Sequence, residues 1–136
     1  MEKKNPIDEA KRYLQNAKDL LKDKALKDGD YYTDSKYVRM AGDTAWKGCL
    51  LALDAMFDVK KSKPKGRRVD IDDYKTVVSK RDKKLLSCTV EGYNILHLFM
   101  GYDGTKDYMV CKSGMEKAEY IIDWCEQKYK PATAAS

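Results

Sequence analysis

The chain's only histidine, His97, lies in GYNILHLFMGYDGTKDYM, residues 92–109, where Tyr102, Asp103 and Asp107 follow it. Imidazole is the side chain most often used for general acid–base work, and it needs a partner that fixes its tautomer and direction. Asp103 and Asp107 lie beyond Gly101 and an expected polar turn, so their spacing does not by itself orient them toward His97. His97 therefore reads as a structural or surface histidine. Together with Tyr102, Asp103 and Asp107 it forms a polar cluster of low priority, and no catalytic residue is assigned. The same stretch contains glycine, threonine and lysine in YDGTKD, but lacks the GxxxxGK[ST] order of a phosphate loop and has no strand leading into it. The expectation is a core helix followed by its turn.

Metal chemistry fares no better. A carboxylate-bridged site in a helical bundle needs inward acids and an ExxH pair. Glu91, Glu116, Glu119, Asp54 and Asp58 are available, but Asn94 stands three residues before His97. Cys49, Cys88, Cys111 and Cys125 show no CxxC pairing, the spacing that zinc or redox sites commonly use. They read as buried thiols. No metal and no cofactor are expected.

Charge is more suggestive. The sequence has 27 basic and 22 acidic residues, a formal charge of +5. Six cations, Lys60, Lys61, Lys63, Lys65, Arg67 and Arg68, fall in the nine residues KKSKPKGRR, where Pro64 and Gly66 make a loop rather than a helical face. Without interleaved aromatic residues such a run can attract phosphates or an acidic partner but cannot read bases. Otherwise it is a solvated loop. Lys80, Arg81, Lys83 and Lys84 add further cations nearby in sequence.

The elements that must position these groups are helical. Asn5 as cap and Pro6 at the first turn, with Asp8 three residues after the cap, start a helix expected to reach about Lys27. The second helix is expected from about Tyr31 to Val59. Ala41, Ala45, Gly48, Ala52 and Ala55 form a stripe of small residues on it, beside Trp46, Cys49, Leu50, Leu53, Met56 and Phe57. Two stripes need cover on more than one side, so the helix is either central in a bundle or half of a dimer. Asp70 and Asp73 open a third helix, the polar KRDKK run interrupts it, and a fourth runs from Leu85 to Met100. Ser113 and Glu116 form an SxxE capping box for the last helix, which Pro131 stops. Strand alternation is nowhere sustained. The fold class is thus all-α, an antiparallel four- to five-helix bundle, with one domain over 1–130 and a flexible tail at 131–136. No apolar run reaches membrane-spanning length, and cytoplasmic localisation without a membrane partner is the expectation.

Three stretches, AKRYLQNAKDLL, YYTDSKYVRMAGDTAWKGCLLALDAMF and SGMEKAEYIIDWC, resemble the HEPN-like helical superfamily over roughly residues 7–129. The chain is also similar in character to small helical-bundle proteins of Bacteroidetes. The HEPN-like resemblance implies a bundle used in toxin or RNA-processing systems, with a nucleotidyltransferase-like protein as a possible partner. Its ribonuclease members place an arginine before a histidine with four to six residues between them. Here those positions hold Val90, Glu91 and Gly92, so no catalytic residue transfers to His97. Nor do the tyrosines modified in some paired systems map onto Tyr102 or Tyr108. The expected function is a non-catalytic helical interaction domain that forms a homodimer. The alternatives are an RNA- or phosphate-binding protein using residues 60–68, and a divergent HEPN-like nuclease.

Overall fold

The computed structural model describes residues 5–59 and 68–129. Helix α1 (Pro6–Asp19) starts where the Asn5 side chain accepts a hydrogen bond from the Ile7 N–H, and it widens into a π-helical turn, π1 (Leu20–Ala25). Leu26, at φ 55°, ends it. A two-residue hairpin follows, β1 (Lys27–Asp28) paired antiparallel with β2 (Tyr31–Tyr32) around Gly29. Helix α2 (Ser35–Phe57) begins after Asp34, whose carboxylate accepts from the Lys36 N–H. Tyr31–Thr33 is therefore not the first turn of the second helix, as the sequence pattern suggested. Its amides are taken instead: Tyr32 N–H bonds Lys106 O at 2.8 Å, and Thr33 N–H bonds Ala25 O at 3.0 Å.

Helix α3 (Ile71–Ser79) opens with the expected capping box, in which Asp70 and Asp73 each accept from the other's backbone N–H. The interruption at KRDKK is also present, because Asp82 caps a new helix, α4 (Lys83–Gly92), through the Leu85 N–H. This helix continues as a long π-helical stretch, π2 (Tyr93–Tyr102). Helix α5 (Tyr108–Lys128) starts earlier than the SxxE signal implied. Its cap is Asp107, bonded to the Val110 N–H at 3.0 Å, and Ser113 lies inside the helix. Tyr108 N–H bonds Asp30 O at 3.0 Å, so the hairpin holds the start of α5 in place.

Residue pairs give the directions. Ala10 faces Gly48 while Leu20 nears Thr44, so α1 and α2 are antiparallel. Trp46 faces Gly92 and Tyr93 while Gly42 faces Leu96 and Met100, so π2 is antiparallel to α2. Lys11 and Lys18 pair with Glu126 and Glu119, setting α1 antiparallel to α5. Helices α2 and α5 consequently run parallel, each flanked by α1 and α4–π2. The result is an all-α domain of five helices around one core, in which Leu53, Leu85, Leu96, Met100, Ile121 and Ile122 are fully buried. Thr89, the buried polar residue among those described, bonds the Leu85 carbonyl at 2.8 Å. No described helix is long and apolar enough to cross a membrane.

The chain's own helices cover most of the two stripes of α2. Ala41, Ala45, Gly48 and Ala52 are buried, as are Trp46, Cys49 and Leu53. A side chain at Gly48 would meet Ala10 O at 3.0 Å and the Tyr13 Cβ at 3.2 Å. A tighter approach to backbone is at Gly42, where a Cβ would drive into the Leu96 carbonyl and lie 2.6 Å from the Met100 Cβ. Backbone cannot swing aside as a side chain can. Gly42→Ala is expected to cost about 3 kcal/mol and Gly48→Leu about 1–3 kcal/mol, both by overpacking. Gly48→Ala should lie nearer neutrality, because the helix propensity gained is about 1 kcal/mol. Urea denaturation checks the order: Gly42→Ala as stable as the parent would contradict the contact.

All four cysteines are buried free thiols. Burial pushes the thiols of Cys111 and Cys125 from 9.0 up to about 12, and the phenol of Tyr32 from 10.0 up to about 12. Cys49 is raised too, by burial and then by Cys125. Each group keeps its proton in the folded chain at a pH where the unfolded chain has lost it. Their contribution is therefore complete below the unfolded value and is lost as pH climbs toward the folded one. Thermal midpoints should fall steadily from about pH 9 upward. A flat midpoint across that range would show that these groups are not protected.

Candidate functional site

A cleft of about 730 Å³ opens between α2, π2 and the start of α3. Helix α2 contributes Asp43, Trp46, Lys47 and Leu50, whose spacing of three, four and seven residues puts them on one face. From π2 come Tyr93 and His97, and the approach to α3 adds Arg68, Val69, Asp70, Ile71 and Tyr74. Three aromatic rings climb from core to surface: buried Trp46 meets Tyr93 edge-on at 5.6 Å, and Tyr93 lies under His97 at 5.3 Å. His97 is thus placed by ring contact.

The carboxylate facing His97 is Asp43, a residue that sequence spacing does not connect with it. The His97 Nδ1 to Asp43 Oδ1 distance is 3.8 Å, and the side chains are 47% and 49% exposed. That is too long for a hydrogen bond and is an ion pair only when the imidazole is protonated. Gly101 makes room for Asp43, since a Cβ there would collide with its carboxylate. Two cations share the cleft, Lys47 one turn beyond Asp43 and Arg68 at the end of the basic run. The Asp70 carboxylate is engaged by the Asp73 N–H in the cap of α3.

The floor is fastened from behind. Tyr74 donates its hydroxyl to Asp54 Oδ1 at 2.8 Å, which ties α3 to α2. Burial, and next the hydrogen bond to Asp54, raise the Tyr74 pKa, so its O–H remains a donor. The arrangement can hold a ligand that offers negative charge to Lys47 and Arg68 and an apolar surface to Leu50, Val69 and Ile71.

The other residues singled out in sequence are dispersed. The Asp107 carboxylate caps α5, the Asp103 carbonyl lies 3.5 Å from the Arg39 guanidinium, and Tyr102 is exposed; none of the three lines the cleft. Lys60, Lys61, Lys63, Lys65 and Arg67 lie outside the described residues, as does the 131–136 tail. Arg81 and Lys84 sit over the rings of Trp124 and Tyr120, at 5.6 and 4.8 Å, an aromatic interleaving that linear sequence does not display. Among the described residues no group of three or more histidine, cysteine or acidic side chains is placed to hold a metal ion.

The profile of a family described as a domain of unknown function, DUF5618, matches residues 5–127. The chain belongs to the DUF5618 family. Among solved structures, a protein of unknown function from Dyadobacter fermentans is similar at 48% identity and a TM-score of 0.80, covering 90% of this chain and 94% of that one. No curated protein matches. The DUF5618 fold is thus shared with a solved bacterial relative, and the cleft geometry comes from this chain's own residues. Within this DUF5618 domain, Tyr74→Phe should remove a hydrogen bond to a carboxylate and cost about 1.5 kcal/mol or more in chemical denaturation. An unchanged midpoint would mean that the Tyr74–Asp54 bond does not hold the floor.

Proposed function

We propose that the chain is a non-catalytic helical interaction domain that binds RNA through its phosphates, using the basic 60–68 run and the cleft that Arg68 lines. The observation that carries this reading is Arg68. It is the last cation of the run and lines the same cleft as Lys47 and His97, so the charge of the segment continues into a concavity with an aromatic wall. The resemblance to HEPN-like bundles supports the same direction, a helical domain working on or beside RNA. Absence of catalysis is part of the proposal. It is supported by the 3.8 Å separation and half-exposed state of His97 and Asp43, a distance at which the carboxylate does not hydrogen-bond the imidazole and so does not orient it. Self-association, expected from α2, would have to use a surface other than the buried parts of its two stripes.

Titration with a short single-stranded RNA at low and moderate salt tests the proposal. If all six cations of 60–68 engage phosphates, affinity should drop roughly 300-fold between about 50 and about 200 mM salt. Neutralising those cations should flatten the salt dependence, and Arg68→Ala with Lys47→Ala should weaken binding. The RNA should stay intact with the parent and with His97→Ala alike. Absence of binding at low salt, or affinity unchanged by neutralisation, would defeat the reading. RNA cut by the parent and spared by His97→Ala would replace it with the nuclease alternative.

A further inference from the structure

A second concavity, of about 370 Å³, lies where the hairpin meets α1–π1 and α5. No residue lines both it and the cleft. Its charged lining is entirely cationic: Lys18, Lys22, Lys27 and Lys112, with no aspartate or glutamate. Lys18 and Lys22 are four residues apart on α1–π1, a like-charge spacing that costs stability unless an anion offsets it. Lys18 reaches Glu119 at 3.7 Å, and Lys27 sits 4.0 Å from the centre of the Tyr108 ring. Lys22 and Lys112 form no ion pair among the described residues.

The floor has the opposite character. Leu21, Tyr32 and Met115 are each less than a tenth exposed, and Tyr108 closes the side. The two tyrosine rings are tilted against each other at 5.8 Å. Their backbones are fixed by bonds between the hairpin and the start of α5, Tyr32 N–H to Lys106 O at 2.8 Å and Tyr108 N–H to Asp30 O at 3.0 Å. The apolar base is therefore preformed, and the flexible lysines surround it. Its volume is at the small end of the range for small-molecule pockets, which is roughly 300–1,000 Å³. It is far too small for an extended nucleic acid strand.

We infer that this pocket binds a small organic phosphomonoester, with an aromatic or aliphatic body on Leu21, Tyr32, Tyr108 and Met115 and a dianionic head among the four lysines. Lysine ammonium groups act as point charges for phosphate, so several of them around one concavity suit a doubly charged head better than a single carboxylate. The apolar floor adds affinity in proportion to the surface it removes from water, which inorganic phosphate cannot exploit.

The test uses phenyl phosphate as the probe, followed by calorimetry and by the methyl resonances of 13C-labelled methionine. Phenyl phosphate should bind about tenfold more tightly than inorganic phosphate or benzoate, from the added apolar contact and the second charge respectively. It should shift the Met115 methyl signal, assigned by Met115→Leu. The double variant Lys22→Gln, Lys112→Gln should fold as the parent does by circular dichroism and lose about tenfold in affinity. Arg68→Ala, which alters only the cleft, should leave the Met115 shift and its midpoint on titration unchanged, so the two sites succeed or fail separately. Equal affinity for phenyl phosphate and inorganic phosphate would overturn the inference. So would an unmoved Met115 signal, full affinity in the double lysine variant, or benzoate binding as tightly as phenyl phosphate.

Discussion

The distance between α2 and π2 at Gly42 governs much of the structure. With no side chain at that position, the Leu96 carbonyl and the Met100 side chain come up against the α2 backbone. Gly114 does the same for α5, where Ile95 occupies the space a Cβ would need. The π-helical stretch is therefore held between two helices through residues lacking side chains. This close contact brings Asp43 opposite His97 and Trp46 under Tyr93. A wider separation would keep the helices and lose the cleft's geometry. π-Helical segments often mark functional sites, and here one carries two of the cleft's aromatic rings.

A second regularity lies in how the acids are used. Asp34, Asp70, Asp82 and Asp107 cap α2, α3, α4 and α5, each accepting a backbone N–H at the positive end of a helix. Carboxylates committed to caps are less available to neutralise lysines and arginines elsewhere. Several cations lie instead over aromatic faces: Lys27 over Tyr108, Lys84 over Tyr120, and Arg81 and Lys128 over Trp124. A cation over a ring gains attraction without losing its charge. The surface thus keeps concentrated positive potential despite a modest net charge, and the two concavities draw on it differently. The cleft mixes cations with Asp43 and Asp70, whereas the lysine pocket has no acidic lining.

Much of the fold was legible in sequence because caps and apolar spacing are local. Asn5, the Asp70–Asp73 box and the break at KRDKK stand where the residue order places them, and the small-residue stripe of α2 faces its neighbours. Local signals also misled. The SxxE match at Ser113 is a genuine capping pattern that goes unused, since Asp107 caps the helix first and Gly114 is needed against Ile95. Tyr31–Thr33 continues an apolar pattern into α2, but its amides bond to residues 25, 26 and 106. Two-residue strands are too short to leave an alternating signature.

What the sequence determined by itself was an all-helical chain, its principal breaks, its buried thiols and the concentration of charge at 60–68. Tertiary structure alone decided that His97 faces Asp43, that Arg68 enters the cleft with Lys47, and that Lys112 joins Lys18, Lys22 and Lys27 around one apolar floor. The physical reason is range. Helix formation and capping depend on groups within about four residues of each other. A site depends on side chains from separate helices, whose proximity is set by backbone contacts such as Gly42 against Leu96 that no local periodicity encodes.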